Sequence, residues 1–372
     1  MKGTPVSCVV LWNAIAAHVC DRIWRRLKYA NLVRCNVMNR ILLVRHDKIG
    51  DFVLTWPAFY LTRAAFPDAI IDVLVAPEIV PFAELCPYID NVIADTDDDQ
   101  AITDAIVAGN YDAAIALHSP WRICKIFRDA KVPYTLGPKH RWYQFLYEDR
   151  ASAKYEKGEP CWRGNCLIVE HFIRRQGKEI PIMPARLWDN SPEREHWQDY
   201  YGRHGDELLV FVHAGTGGSS GSLSIGGFTR LLSRARQSSK VSFKVVLTYS
   251  GEEKAAATEL HEQLAANGVN AALATPLDDL AEFARSLVAA DMFVAGSTGP
   301  LHLAGLHDIP TVGFYAGRRS RPDIRWQTLT QASKRLSFTP PIGRRTGRDM
   351  SLIDVEKAGS EIAGFLDAHY LN

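Results

Sequence analysis

Three loops of the sequence combine small residues with side chains that could carry chemistry, and each follows an apolar run typical of a buried strand. The first loop, residues 45–51, holds two carboxylates and a glycine. The second, residues 215–221, has four glycines and three hydroxyl side chains. The third, residues 296–305, begins GSTGPLH. Because open α/β sheets bind ligands where their parallel strands end, we expect these loops to form the functional site.

Asp51 of the first loop is a candidate general base. It lies where a helix is predicted to begin, and the helix dipole there favours an ionised carboxylate, which in a cleft can accept a proton. Gly50 would let the backbone turn sharply or approach a substrate closely. The alternative is that Asp47 or Asp51 only caps the helix. From residue types alone, the cap is the simpler interpretation.

The second and third loops predict anion sites. Residues 215–221 suit a phosphate cradle, although no Gly-Lys-Ser/Thr follows as in a P-loop, and a plain surface loop is the alternative. Ser297 or Thr298 can cap a helix that has Pro300 in its first turn, which leaves N–H groups free to face an anion. His302, one turn further, could donate to a phosphate oxygen or could be a core histidine.

Basic and aromatic side chains are interleaved over residues 121–143. Such a surface could hold a phosphorylated sugar acceptor, and the alternative is an ordinary helix face followed by a loop. The acidic run at 95–99 resembles a metal-binding Asp-x-Asp motif. Its place between a predicted strand and a predicted helix favours a solvated turn instead.

The elements that must position these loops alternate in type along the chain. Strands are predicted at residues 41–44, 70–75, 91–93, 112–116, 134–136, 208–213, 243–248, 270–273, 292–295 and 311–314. Helices are predicted at about 55–65, 78–84, 100–108, 119–130, 165–177, 226–237, 252–266, 277–289, 300–306 and 351–368. This alternation predicts an α/β fold with parallel strands and crossover helices, and a length of 372 residues predicts two domains.

A charged, proline-containing stretch separates two βα series. We therefore predict a Rossmann-like domain at 39–180, a linker at 181–206 and a second Rossmann-like domain at 207–350. The final amphipathic helix, within 351–372, is expected to pack back across the cleft.

Residues 1–38 form an N-terminal extension to these domains. Its apolar run is too short to span a membrane, and a basic cluster follows it. An amphipathic helix lying on an anionic membrane surface and a helix packed on the first domain both fit this pattern.

Bulk composition excludes some classes of protein. A net charge of +1 argues against a general nucleic-acid binder. The seven cysteines are odd in number and include no CxxC pair, which argues against a zinc site or a disulfide framework. Reduced thiols in a cytosolic compartment fit better.

Three stretches of the chain, taken in order, resemble glycosyltransferase family 9, the lipopolysaccharide heptosyltransferases. They are residues 41–51 (ILLVRHDKIGD) with Pro57 and Ala58, residues 211–215 (FVHAG) and residues 297–304 (STGPLHLA). The resemblance implies a GT-B fold, in which two Rossmann-like, doubly wound domains face each other across a cleft. It further implies inverting transfer of L-glycero-D-manno-heptose from an ADP-activated donor to a core oligosaccharide on lipid A. No metal or cofactor is implied, and the place of action is the cytoplasm, with peripheral contact to the inner membrane.

The resemblance also assigns roles to individual residues. Asp51 is implied to be the catalytic base that takes the proton of the acceptor hydroxyl. The residues expected to bind the donor and its phosphates are His213, Gly215, Thr216, Ser297, Thr298, Gly299, Pro300 and His302. The residues expected to bind the acceptor are Lys48, Gly50, Arg122, Lys139 and Arg141.

The chain departs from the family pattern at two places. Family members often carry Asp where this chain has Ser297, and many carry a phosphate-binding lysine where this chain has none, around Gly221 and Ser222. Either the glycine-rich loop substitutes through backbone N–H groups, or the donor is not ADP-heptose. The alternatives are another nucleotide sugar, another acceptor such as a protein or capsule glycan, or a catalytically silent nucleotide-sugar binding protein. A dehydrogenase is disfavoured because no glycine-rich turn follows the first strand.

Overall fold

The structure is a computed structural model that describes residues 38–156, 158–215, 221–317 and 323–371. These residues form two α/β lobes, the first at 38–175 and the second at 191–371, each built on a six-stranded parallel sheet. The predicted N-terminal helix and Thr216 lie outside the described residues.

The sheet of the first lobe has the strand order β3-β2-β1-β4-β5-β6. Its strands are β1 (Arg40–Val44), β2 (Ile70–Val75), β3 (Asn91–Ala94), β4 (Ala113–Ala116), β5 (Tyr134–Pro138) and β6 (Asp149–Ala151). Its helices are α1 (Ile49–Val53), α2 (Trp56–Ala65), α3 (Val80–Ala83), α4 (Asp99–Gly109), α5 (Trp121–Asp129) and α6 (Trp162–Arg175).

The sheet of the second lobe has the same arrangement, in the order β12-β11-β10-β7-β8-β9. Its strands are β7 (Leu208–His213), β8 (Phe243–Thr248), β9 (Ala271–Leu273), β10 (Met292–Gly296), β11 (Thr311–Phe314) and β12 (Arg335–Phe338). Its helices are α7 (Arg194–Tyr200), α8 (Ile225–Ser238), α9 (Lys254–Ala266), α10 (Leu280–Ser286), α11 (Gly299–Leu306) and α12 (Val355–Tyr370).

The central strands are apolar along most of their length because helices cover both faces of each sheet. Every residue of β7 and β10 is buried, as are four of the five residues of β1. In each sheet the strand order reverses beside the first strand of the lobe, between β1 and β4 and between β7 and β10. These two switch points are where doubly wound sheets bind ligands. The predicted α/β, doubly wound fold is confirmed, and the three loops follow β1, β7 and β10.

The two lobes touch across the cleft. Helix α1 packs against α11, and α3 packs against α10. One continuous buried cluster includes residues of both lobes, among them Phe52, Phe211 and Leu301. The ring of Trp188, in the segment between the lobes, contacts His307 of the second lobe with a centroid separation of 4.6 Å. The loops after β1 and β10 are therefore held face to face.

The segment predicted as a linker contains a helix of the second lobe. In α7, Trp197 is buried, and the hydroxyl of Tyr201, just after the helix, lies 2.8 Å from Ser286 Oγ. Arg194 donates to Asp291 at 2.5 Å. The linker prediction at 181–206 is thus wrong for its second half, which contains α7. Prolines and charges nearby in the sequence suggested a linker, but contacts with the second lobe stabilise a helix there.

The C-terminal helix packs on its own lobe and not across the cleft as expected. The buried face of α12 lies against α8, and both contribute to the core of the second lobe. The fit is close at Gly359, where an added Cβ would lie 2.6 Å from the carbonyl oxygen of Leu231. The apolar stripe of α12 was identified from the sequence, but its packing partner was not, since periodicity does not specify which surface buries a stripe.

Besides α7, two strands and one short helix were not predicted. Strands β6 and β12 are edge strands of three and four residues. Few of their side chains are fully buried, so their sequences do not show the apolar run by which the central strands were recognised. Helix α1 has five residues, too few for a recognisable period. None of the described helices combines the length and apolarity that a membrane crossing requires.

Candidate active site

Arg45 organises the carboxylates of the first loop. From the end of β1 its guanidinium lies 2.6 Å from Asp47 Oδ1 and 2.9 Å from Asp51 Oδ1. It also donates to the carbonyl oxygen of Leu117 at 3.4 Å and to Asn165 Oδ1 at 3.3 Å. Arg45 is nearly buried, so these bonds fix the positions of both carboxylates. Arg45 was not among the site residues predicted from the sequence.

Asp51 is in the first turn of α1, and its carboxylate is not a helix cap. The N-cap position belongs to Lys48, whose side chain makes no capping hydrogen bond. The Asp51 side chain is 24 % exposed. Burial raises its pKa, which Arg45 opposes through its charge and its hydrogen bond, while the neighbouring charge of Asp47 raises it further. A half-buried carboxylate with a raised pKa is a stronger proton acceptor than an exposed one.

A cavity of about 420 Å³ opens beside Asp51, at the switch point between β1 and β4. It is lined by Arg45, Asp51, Leu54, Leu117, His118, Ser119, Pro120, Pro138, His140, Arg141, Tyr143, Ala153, Tyr155, Cys161, Gly164, Asn165, Ile168, Arg325 and Trp326. Most of these residues belong to the first lobe. Arg325 and Trp326, from a 3-10 helix of the second lobe, close one side, and the carbonyl oxygen of Arg325 accepts from the N–H of Cys161 at 2.9 Å.

The cavity wall carries several cationic or titratable groups. Arg141, His118, His140 and Arg325 share it with Asp51. Burial lowers the pKa of His118 and of His140. The cavity can therefore bind a polar ligand through hydrogen bonds and an anionic one through the two arginines.

Only some of the residues predicted to bind an acceptor line this cavity. Arg141 does, whereas Lys48 and Lys139 are exposed on the surface outside it. Arg122 is also outside, because its guanidinium bonds to Asp95 at 2.6 Å and to Asp99 at 2.5 Å. The positions of Lys48, Lys139 and Arg122 give them no contact with the cavity.

The acidic run at 95–99 is structural. Asp95 is buried and binds both Arg122 and His46, the latter with Nδ1 at 2.5 Å from Oδ2. Asp98 caps α4 by accepting from the backbone N–H groups of Gln100 and Ala101. Across the described ranges, no group of three or more His, Cys, Asp or Glu side chains is placed to hold a metal ion.

On the opposite side of the cleft, α11 begins at Gly299 with Pro300 in its first turn, as predicted. Thr298 is at the N-cap position, and its side chain makes no capping hydrogen bond. The buried atoms Thr298 Oγ1 and His302 Nδ1 have no hydrogen-bond partner among the described residues. Burial lowers the pKa of His302 to about 4, so this imidazole is neutral near pH 7. Unsatisfied buried polar atoms beside free helix N–H groups are the arrangement that a bound anion would complete.

The two loops meet at two glycines, each of which faces a side chain of the other loop. A Cβ added to Gly50 would lie 2.9 Å from Cδ2 of His302, and one added to Gly299 would lie 3.4 Å from Cβ of Ile49. Glycine at these positions allows α1 and α11 to approach closely. Asp51 therefore lies one residue from the contact between the lobes, with the cavity on one side and the start of α11 on the other.

A second polar cluster lies at the ends of β7 and β8. His213 is buried, with Nδ1 at 3.1 Å from Thr248 Oγ1 and Nε2 at 3.5 Å from Glu253 Oε2. Burial lowers its pKa more than the carboxylate of Glu253 raises it. Gly215 lies directly against Glu253, since an added Cβ would be 2.0 Å from Oε1. Glu253 was not identified from the sequence, and in the structure it forms a capping box with Ser250.

The chain is similar to known proteins in both sequence and fold. The sequence model described as glycosyltransferase family 9 (heptosyltransferase) matches residues 100–337, which include the loops after β7 and β10 but not Asp51. A Haemophilus influenzae protein that is named as a glycosyltransferase is 32 % identical to this chain over 342 residues. The match covers 88 % of this chain and 97 % of that protein.

Solved structures with the same fold include two Escherichia coli heptosyltransferases. The ADP-heptose lipopolysaccharide heptosyltransferase II superposes with a TM-score of 0.69 at 17 % identity, covering 89 % of this chain and 99 % of that one. A second E. coli heptosyltransferase, solved with ADP, gives 0.66 at 18 % identity and covers 89 % and 98 %. A family 9 glycosyl transferase of Veillonella parvula gives 0.70 at 15 % identity and covers 88 % and 97 %.

Proposed function

Since the chain belongs to glycosyltransferase family 9, we propose that it transfers a heptose, with inversion, from ADP-L-glycero-D-manno-heptose to a lipid-linked inner-core oligosaccharide. That the protein is a glycosyltransferase follows from the family. The sugar, the acceptor, the mechanism and an action at the cytoplasmic face of the inner membrane are the proposed parts.

The observation that carries the proposal is the position of Asp51. Its carboxylate faces the cavity of the first lobe and has a raised pKa, and the neighbouring Gly50 contacts His302 of the second lobe. An acceptor hydroxyl bound in the cavity would reach Asp51 on the side that faces the donor loop. Asp51 would take the proton of that hydroxyl as its oxygen attacks the anomeric carbon.

The donor would bind on the second lobe with its diphosphate at the start of α11. There the N–H groups near Gly299, together with Thr298 Oγ1 and His302 Nδ1, would hold the charge that grows on the leaving diphosphate. Attack from the first lobe and departure toward the second place the two oxygens on opposite faces of the sugar ring. This arrangement gives inversion in a single displacement, and we assign no metal to it.

Two departures from the family pattern favour a different donor. Ser297 replaces the Asp that family members often carry, and no lysine lies around Gly221 and Ser222. A titration with ADP, UDP and GDP distinguishes these donors. The missing lysine alone also supports a catalytically silent binding protein.

The experiment that tests the proposal is a binding and turnover series with the purified full-length chain. We expect calorimetry to show tighter binding of ADP than of UDP or GDP. With ADP-heptose and a heptose-deficient inner-core acceptor, mass spectrometry should detect addition of one heptose, and a chelator should not prevent it. Preference for UDP or GDP would replace the proposed donor. ADP-heptose binding without any transfer would favour the silent binding protein.

A further inference from the structure

Three large aromatic side chains are exposed side by side on the first lobe. Trp142 is 75 % exposed, Trp121 is 46 % exposed and Phe145 is 38 % exposed. The ring centroids are 5.7 Å apart for Trp121 and Trp142, and 6.3 Å apart for Trp142 and Phe145. Isolated exposed aromatics are common, but a contiguous cluster indicates an interaction surface. We call these three residues the aromatic patch.

The aromatic patch rests on rigid elements. Trp121 opens α5, whose opposite face is buried in the lobe through Ile123, Ile126 and Phe127. Trp142 and Phe145 belong to the 3-10 helix Trp142–Leu146, which packs against α5. The exposed rings therefore stand on a fixed platform.

The segment that carries the aromatic patch is rich in cations, three of which lie against acidic side chains. Residues 121–147 contain six Lys or Arg and one acidic residue, Asp129. Arg128 pairs with Asp129, while Arg122 pairs with Asp95 and Asp99. Lys139 and Arg141 form no ion pair within the part of the chain that the structure describes. Their charges are available to an anionic partner.

The aromatic patch adjoins the mouth of the cavity. Tyr143 lines the cavity and also contacts both tryptophans, at 5.7 Å from Trp121 and 5.8 Å from Trp142. Arg141, in the same segment, lines the cavity too. A surface that binds the aromatic patch would lie directly in front of the cavity that contains Asp51.

We propose that the aromatic patch inserts into the headgroup region of an anionic lipid bilayer, while Lys139 and Arg141 pair with lipid phosphates. Tryptophan prefers the membrane interface, and Lys and Arg near it are attracted by anionic lipids. Protein interfaces are depleted in lysine at their centre, so the excess of cations favours a bilayer over a protein partner. The inference rests on the proposed action at the membrane face and deepens it by naming the surface that docks, and docking itself requires neither a particular donor nor a particular acceptor.

The test is fluorescence quenching by vesicles of brominated lipids, with the full-length chain. The chain has nine tryptophans, and the bromine atoms quench those that enter the bilayer. We expect quenching with vesicles that contain phosphatidylglycerol and little with phosphatidylcholine alone. The double variant Trp121→Phe/Trp142→Phe should lose most of this quenching, whereas Trp197→Phe, which changes a buried tryptophan of the second lobe, should retain it.

Co-sedimentation with the same vesicles measures affinity separately. Trp121→Ser/Trp142→Ser should weaken partition roughly tenfold, as expected for the loss of two interfacial anchors. Lys139→Glu should weaken it more than Lys357→Glu, which reverses an exposed charge on α12.

Two results would overturn the inference. Unchanged quenching and partition in the tryptophan variants would place any membrane contact elsewhere in the chain. Unchanged partition with reduced transfer to a deacylated, water-soluble acceptor would make the aromatic patch a platform for sugar stacking. Loss of vesicle binding with transfer to the soluble acceptor intact would support docking of the aromatic patch on the membrane. Failure of the parental protein to transfer heptose at all would count against the proposed function and not against docking.

Discussion

Gly50 and His302 meet across the cleft so closely that a Cβ on Gly50 would lie 2.9 Å from the imidazole Cδ2. The ring of His302 is buried and cannot move far to relieve such an overlap. The glycine is therefore required by the partner lobe, and the contact fixes the distance between Asp51 and the start of α11.

Replacing Gly50 by alanine should separate the two loops. We expect Gly50→Ala to lower kcat/KM by about tenfold and to destabilise the protein by roughly 1–3 kcal/mol, the usual cost of overpacking. Gly364→Ala, whose added Cβ has open space, is the matched control and should leave activity unchanged.

A double-mutant cycle with His302→Ala isolates the cause of this loss. Alanine at 302 removes the overlapping ring, so the stability cost of Gly50→Ala should shrink in that background. Equal costs in both backgrounds, measured by thermal unfolding, would show that the overlap is not responsible.

Arg45 should control the pH dependence of transfer. Asp51 must be deprotonated to accept a proton, so kcat/KM falls as pH falls through its pKa. Among the groups around it, Arg45 and Lys48 lower that pKa, while burial and Asp47 raise it. Arg45→Met should therefore move the acidic limb to higher pH, and Arg45→Lys should restore it in part. An unmoved limb would mean that another group is titrating.

Asp51 should also cost the protein stability. Its pKa is raised in the folded state above its unfolded value, so the ionised form is less favourable when folded. Above that pKa the ionised carboxylate lowers the free energy of unfolding. This cost disappears as the pH falls through that pKa and Asp51 becomes protonated in the folded protein. We expect Asp51→Asn to melt at or above the parental temperature at neutral pH, with the difference shrinking as pH falls. A clearly lower melting temperature would contradict this assignment.

Gly215 should influence the donor and not the base. An added Cβ would collide with the carboxylate of Glu253, which Ser250 holds through its N–H at 3.1 Å and its hydroxyl at 2.8 Å. We expect Gly215→Ala to weaken ADP binding by about tenfold in calorimetry, in proportion to a local shift of the binding loop. The control is Gly226→Ala, where an added Cβ meets nothing. An unaltered ADP affinity would place the nucleotide away from this loop.

The sequence predicted the parts of the fold that local pattern encodes. The runs that became β1, β7 and β10 are apolar at consecutive positions, and the start of α11 was visible from Thr298 and Pro300. Asp51 became a candidate because its loop directly follows such a strand, and its role as the base was implied by the resemblance to the family.

What the sequence missed depends on contacts between distant segments. Arg45 is held in the site partly by Asn165, which is 120 positions away in the sequence. Arg325 lines the cavity although it belongs to the other lobe. Helix α12 showed its apolar stripe but not that α8 would cover it. Local periodicity carries no information about such partners, which are selected by shape and charge in the folded chain.

The central claim is that Asp51 is the base of the transfer reaction, and turnover of Asp51→Asn tests it most directly. Asparagine keeps the shape of the side chain but cannot accept the proton. With ADP-heptose and the inner-core acceptor, we expect kcat to fall by about 10²–10⁴-fold, with ADP affinity unchanged and the acidic limb of the pH profile absent. Asp47→Asn, which alters the other carboxylate held by Arg45, should retain far more activity. If Asp51→Asn transferred heptose at the parental rate with the same pH profile, the account would be wrong.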